Sequence, residues 1–195
     1  MKLPNRHAFM LLSLVAALLS GCGSVSGLTR ESSSAPVRIG DFERVEVIDF
    51  SASGGEKFED AGKQAEYDAS VAEARRVFAD RIAEAIRETG AFTEVTREPA
   101  DGAALRVSGD ISRYDEGNIV ARGLTGFAGQ THFDAVVTIA DARSGQTLAT
   151  LTIDRNSWPL PVGASTATIQ TTNFFMKEAA KKIASELAAK KKGAP

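Results

Sequence analysis

Of the residue types that most often carry chemistry or anchor an interface, the 195-residue chain has few: one cysteine, two histidines, one tryptophan and two tyrosines. A single cysteine, Cys22, excludes any intrachain disulfide. Histidine is as scarce: beyond residue 21 only His132 remains, at the start of a predicted strand with no Cys or His nearby. A metal site needs three or four ligands, and a Ser/His/Asp triad would have to use this one ring. The chain also lacks the G-x-S-x-G elbow of the α/β-hydrolases. No metal, no cofactor and no enzymatic activity are therefore expected. A large excess of one charge is missing too, with 23 basic against 25 acidic residues, so this mildly acidic chain has no general reason to bind nucleic acid. Its longest apolar stretch, "AFMLLSLVAALL" at 8–19, interrupted only by Ser13, falls short of the ~20 residues that span a bilayer.

That short run is nevertheless informative. Lys2 and Arg6 precede it, small residues Ser20 and Gly21 follow, and then comes Cys22. A positive start, an apolar core of this length and small residues at the end describe a targeting signal. No A-x-A-like site closes it. Instead Leu19-Ser20-Gly21-Cys22 resembles the lipobox of bacterial lipoproteins. The resemblance implies that the thiol takes a diacylglycerol, that the chain is cut before Cys22 and that the new amine is acylated. The chemistry suits the residue, since a thiolate is the strongest soft nucleophile a side chain offers. The plainer alternatives are a secretory signal with an incidental cysteine, or an uncleaved apolar helix. Three acyl chains on one residue would hold a protein on lipid, whereas one holds only marginally. Gly23, rather than Asp, after the cysteine implies the outer membrane facing the periplasm, with the inner membrane or the cell surface as alternatives.

The expected organisation is a lipoprotein signal over 1–21, a lipidated flexible tether over 22–38 and one envelope domain over 39–192. Residues 1–21 hold two of the basic residues and none of the acidic ones, leaving 21 basic against 25 acidic groups after cleavage. "GSVSGLTRESSSAPV", 23–37, is rich in Ser and Gly with no apolar period. As a flexible chain it would reach about 20–25 Å.

In the domain, "RVEVIDF" (44–50) alternates with a β-branched bias and reads as a central strand. Residues 51–66 read as a polar, glycine-containing insertion. Ser70 with Glu73 forms a capping-box pattern, and Val71, Ala74, Phe78, Ile82, Ala85 and Ile86 form one apolar stripe ended by Gly90. A short strand at 91–95, a half-buried strand at 104–115 and a hairpin of 132–142 with 146–155 about Ser144-Gly145 come next. The second helix runs from about Thr172 to Ala189, with Lys190–Lys192 at the end its dipole favours. Two amphipathic helices need a sheet face to cover. The fold expected is therefore α/β (α+β): a two-layer sandwich with a mostly antiparallel or mixed sheet of about five strands and two helices on one face.

Three motifs fall within this pattern: Gly109-Asp110-Ile111, Arg122-Gly123 with Gly126 and Gly129, and Asp141-Ala142 with Ser144-Gly145. On them the chain, over roughly 40–185, resembles a bacterial lipoprotein family, domain of unknown function 4410. More distantly, Val47 to Phe50, Gly90 to Phe92 and Ser144-Gly145 resemble the amino-terminal domain of TolB and related envelope lipoproteins. Two stretches are candidate interaction surfaces. Gly123, Gly126 and Gly129 are three apart, beside Arg122, and fit neither a P-loop nor a dinucleotide turn. They suit either a strand bend or a place where another backbone docks. Trp158-Pro159-Leu160-Pro161 holds the sole tryptophan, a residue type enriched at binding hot spots, and reads otherwise as a loop on the sheet edge. Asp110, Asp115, Glu116, Asp134, Asp141 and Asp154 make paired carboxylates conceivable. The expected role is a non-enzymatic binding or assembly module for an envelope protein, lipid-anchored at Cys22. The alternative is a small-ligand or lipid pocket between sheet and helices, in the space of Phe78, Ile82, Phe175 and Ile183.

Overall fold

The computed structural model describes residues 22–30, 37–100, 102–117, 129–157 and 170–193. Among the described residues it is a mixed α/β structure: one mixed sheet, two α-helices and a short 3-10 helix at Ile39–Asp41. The strands are β1 (Cys22–Val25), β2 (Thr29–Arg30), β3 (Arg44–Val47), β4 (Ser51–Ala52), β5 (Glu94–Thr96), β6 (Leu105–Asp115), β7 (His132–Asp141) and β8 (Thr147–Asn156); the helices are α1 (Ala61–Thr89) and α2 (Thr172–Lys191). The strand order is β1-β8-β7-β6-β3-β5, with β2 also on β8 and β4 on β6. β6, β7 and β8 form an antiparallel meander, while β3 lies between β6 and β5 and runs parallel to both.

Alternation decides which side chains are buried. Val45, Val47, Leu105, Val107, Phe133, Val137, Ile139, Leu151 and Ile153 all enter one core, whereas Val136 on the other face is 41% exposed. The helices share that core through Phe78, Ile82, Ile86, Phe175, Ile183 and Leu187, and they pack on each other. At its centre three rings meet, Phe78 lying 4.9 Å from Phe50 and 5.0 Å from Phe133 between centroids, a spacing at which tilted aromatic pairs attract.

Three sequence expectations need correction. Residues 22–38 were expected to form a flexible tether, but Cys22–Val25 and Thr29–Arg30 pair with β8. The open edge of β8 supplies unpaired backbone groups that even a Ser/Gly-rich strand can satisfy, and this pairing makes the sheet broader than five strands. Secondly, α1 begins at Ala61 instead of near Ser70. The Asp60 side chain accepts a hydrogen bond from the Lys63 N–H at 2.8 Å, and Phe58 N–H donates to Gln64 Oε1 at 2.9 Å. Its first turns are mostly polar, with Tyr67 alone packing against the core, so periodicity misses them. Thirdly, the polar stretch 51–66 is partly built in: Ser51–Ala52 forms β4, and the Ser51 hydroxyl donates to Asp110 Oδ1 on β6 at 2.6 Å.

Candidate functional site

Four strands bring their ends together at one end of the sheet. Across the sheet the register reads Cys22 opposite Asn156, Asn156 opposite His132 and His132 opposite Asp115. Just beyond this row the chain is locked by polar contacts in a buried setting. Ser157 N–H donates to the Thr131 carbonyl at 2.9 Å, Thr131 N–H donates to Ser157 Oγ at 2.9 Å, and Thr131 Oγ1 donates to the Glu116 carbonyl at 3.0 Å. Thr131, Ser157 and Gln170 are all buried. Pairing of this kind is what keeps polar groups affordable away from water.

Gly117 (φ 68°) and Gly129 (φ 71°) both adopt the left-handed backbone here. A Cβ on Gly117 would strike the Gly129 carbonyl oxygen, so glycine is required by space as well as by φ. Of the sequence-predicted interaction residues, Gly129 is thus placed at this end, and Cys22 opens the strand that borders it. Arg122, Gly123, Gly126 and Trp158 lie outside the described residues. Gly117, Thr131 and Ser157 went unnoticed in the sequence. Gly117, directly after Asp115-Glu116, offered a faint signal of a strand end, but nothing marked Thr131 and Ser157 as buried.

Beside this end runs a surface groove of about 590 Å³ between the two helices, lined by Glu66, Glu73, Tyr114, Glu116, Asn173 and Met176 among others. Tyr114 hydroxyl donates to Glu116 Oε1 at 2.6 Å, and Tyr67 hydroxyl donates to the Tyr114 carbonyl at 3.2 Å. Burial, and then the hydrogen bond to Glu116, push the Tyr114 phenol above its ordinary range. At neutral pH it is a neutral donor and no base.

The candidate carboxylates mostly have structural partners. Asp110 accepts from Ser51 and Ser53, Asp115 from Gly117 N–H, and Asp141 from Ser144 and Arg143 in the hairpin turn. Asp134, opposite Asp154 across β7 and β8, accepts from the Arg155 N–H at 3.3 Å. Burial first and the Asp154 charge second raise its pKa, against the opposing pull of the Arg155 N–H, Arg113 and His132. Among the described residues, no cluster of three or more His, Cys, Asp or Glu could hold a metal ion, and no helix is long and apolar enough to cross a membrane.

Residues 45–161 match the family model described as Domain of unknown function (DUF4410). The chain belongs to that family. The match runs from β3 through β8, so it takes in the Asp115, His132 and Asn156 strand ends but not Cys22. No curated protein matches. Solved structures of similar shape include a PelC dodecamer from Paraburkholderia phytofirmans, 17% identical over 83% of this chain and 96% of that one, TM-score 0.43. A Xanthomonas campestris protein of the DUF330 family is 11% identical, with 87% and 99% covered and TM-score 0.48. A putative neuraminyllactose-binding hemagglutinin homolog from Helicobacter pylori is 10% identical, with 82% and 89% covered and TM-score 0.36. At these scores the likenesses carry no argument about what this family member does.

Proposed function

We propose that this DUF4410 protein is a lipid-anchored envelope protein, fatty-acylated on Cys22, that acts as a non-enzymatic binding or assembly module at the outer membrane, facing the periplasm. The observation that carries the reading is the order Lys2/Arg6, apolar 8–19, then Leu19-Ser20-Gly21-Cys22, which supplies every element that thioether acylation and cleavage need. The interior supports a role at the surface: Phe78, Ile82, Phe175 and Ile183, between sheet and helices, are buried in a single core, so the alternative of a ligand pocket there has less support. We read the architecture as two layers, since both helices share the core formed by one set of alternating strand residues. The proposed partner is another envelope protein.

Membrane fractionation tests the anchor. The natural chain is expected in the outer-membrane fraction, resistant to high-salt extraction, and Cys22→Ala is expected to lose processing and leave that fraction. An unaltered distribution for Cys22→Ala would contradict the proposal.

A further inference from the structure

Resting on the anchor reading above, we infer that residues 22–30 are a strap that seats the Asp115–His132–Asn156 end of the sheet directly on the lipid surface. An acylated Cys22 would be the first residue of the mature chain, and it is already a strand residue, paired with Asn156. No length of free chain separates the lipid from the fold.

The strap is held along most of β8. Cys22–Val25 pair with Asn156 back to Ile153, Ser26 N–H donates to the Thr152 carbonyl at 2.9 Å, Thr152 N–H donates to Ser26 Oγ at 2.9 Å, and Thr29–Arg30 pair with Thr150 and Ala149. The two large apolar side chains of the stretch, Val25 and Leu28, both pack against the core. Leu28 N–H also bonds the Glu186 carboxylate on α2, which Lys182 holds at 2.6 Å. A fifteen-residue flexible tether would let the domain tumble within about 20–25 Å of the bilayer. A paired strand fixes which end points down. β8 has ten residues, and at about 3.3 Å per residue its far end, by the Ser144-Gly145 turn, lies roughly 30 Å from the anchored row. The partner of this surface is a lipid bilayer, and the hairpin turn faces away from it.

Among the described residues, Asp115 and Glu116 sit beside His132 at the anchored row.

Acylation consumes the thiol of Cys22, so an engineered cysteine is the sole free thiol of the full-length lipidated protein. Glu116→Cys at the anchored end and Ser144→Cys at the turn, both exposed positions, would each carry a donor fluorophore. The proteins would be reconstituted into phosphatidylethanolamine/phosphatidylglycerol vesicles containing a headgroup-linked acceptor. His132→Cys and Arg143→Cys provide a second pair should either of the first fail to fold. Energy transfer is expected to be several-fold stronger from the Glu116 site than from the Ser144 site. Adding Ser26→Pro, which removes the donor to Thr152, is expected to bring the two signals together and to speed amide exchange at Thr152. Vesicle-bound protein with equal transfer from both ends, or a difference that survives Ser26→Pro, would overturn the strap while leaving the anchor intact. Loss of vesicle binding with a bare thiol at Cys22 would instead overturn the anchor reading, and the strap's role with it.

Discussion

A methyl group on Gly109 would strike the Val136 carbonyl oxygen on β7 and the ring of Phe50. Because the nearest obstacle is backbone, the neighbours cannot simply rotate away. Gly109→Ala is expected to cost about 1–3 kcal/mol, read as a lower midpoint in chemical denaturation. Asp134 gives a prediction with a pH sign. Its raised pKa means that the folded state holds the proton more tightly than the unfolded chain does. Stability from this group is therefore present below the ordinary carboxylate value of about 4 and lost as pH rises through the raised native value. Asp134→Asn is expected to stabilise the protein at pH 7, by no more than about 1 kcal/mol given the partial exposure, and to confer nothing at pH 3. Thermal melts at the two pH values check it. At this scale the sequence was partly legible. Gly109 stood out within Gly109-Asp110-Ile111, yet its reason, a close cross-strand approach, exists only once β6 and β7 are paired. The pairing of Asp134 with Asp154 likewise depends on a register that alternation alone does not number.

Between β3 and β4 the chain turns under two arginines. Arg97 bonds the Asp80 carboxylate on α1 at 2.8 Å and also reaches Asp49 and the Val47 carbonyl, while Arg75 bonds the Phe50 carbonyl. One guanidinium thus ties β3, the chain after it and α1 together, a task suited to its rigid fork of donors. Arg97→Ala is expected to destabilise by about 1–3 kcal/mol, with Arg97→Lys recovering only part, as measured by urea denaturation. The elements themselves were readable where they bury an apolar face. β6, the β7–β8 hairpin, the C-terminal end of α1 at Gly90 and all of α2 lie where periodicity and turn chemistry place them. The start of α1 and strands β1, β2 and β4 were not readable. Their residues are polar or small, and their backbone pairing is decided by neighbours distant in sequence, Asp110 for β4 and the β8 edge for β1 and β2.

For the whole molecule, the helices and sheet close one core, and membership in DUF4410 fixes the family without fixing its work. What makes a specific proposal possible is continuity between the extreme amino-terminal part and the fold: the cysteine that the opening segment singles out is the first residue of a strand in the sheet. The fold class was legible because two amphipathic helices demand a sheet face. The arrangement at the Gly129 end was not, since it depends on four strand ends meeting across long sequence separations. The most direct test of the account is the mass of the amino-terminal peptide from protein purified out of native membranes. The account predicts a peptide beginning at Cys22 and carrying one diacylglycerol and one further acyl chain. A peptide that still contains residues 1–21, or one whose Cys22 sulfur is unmodified, would contradict it.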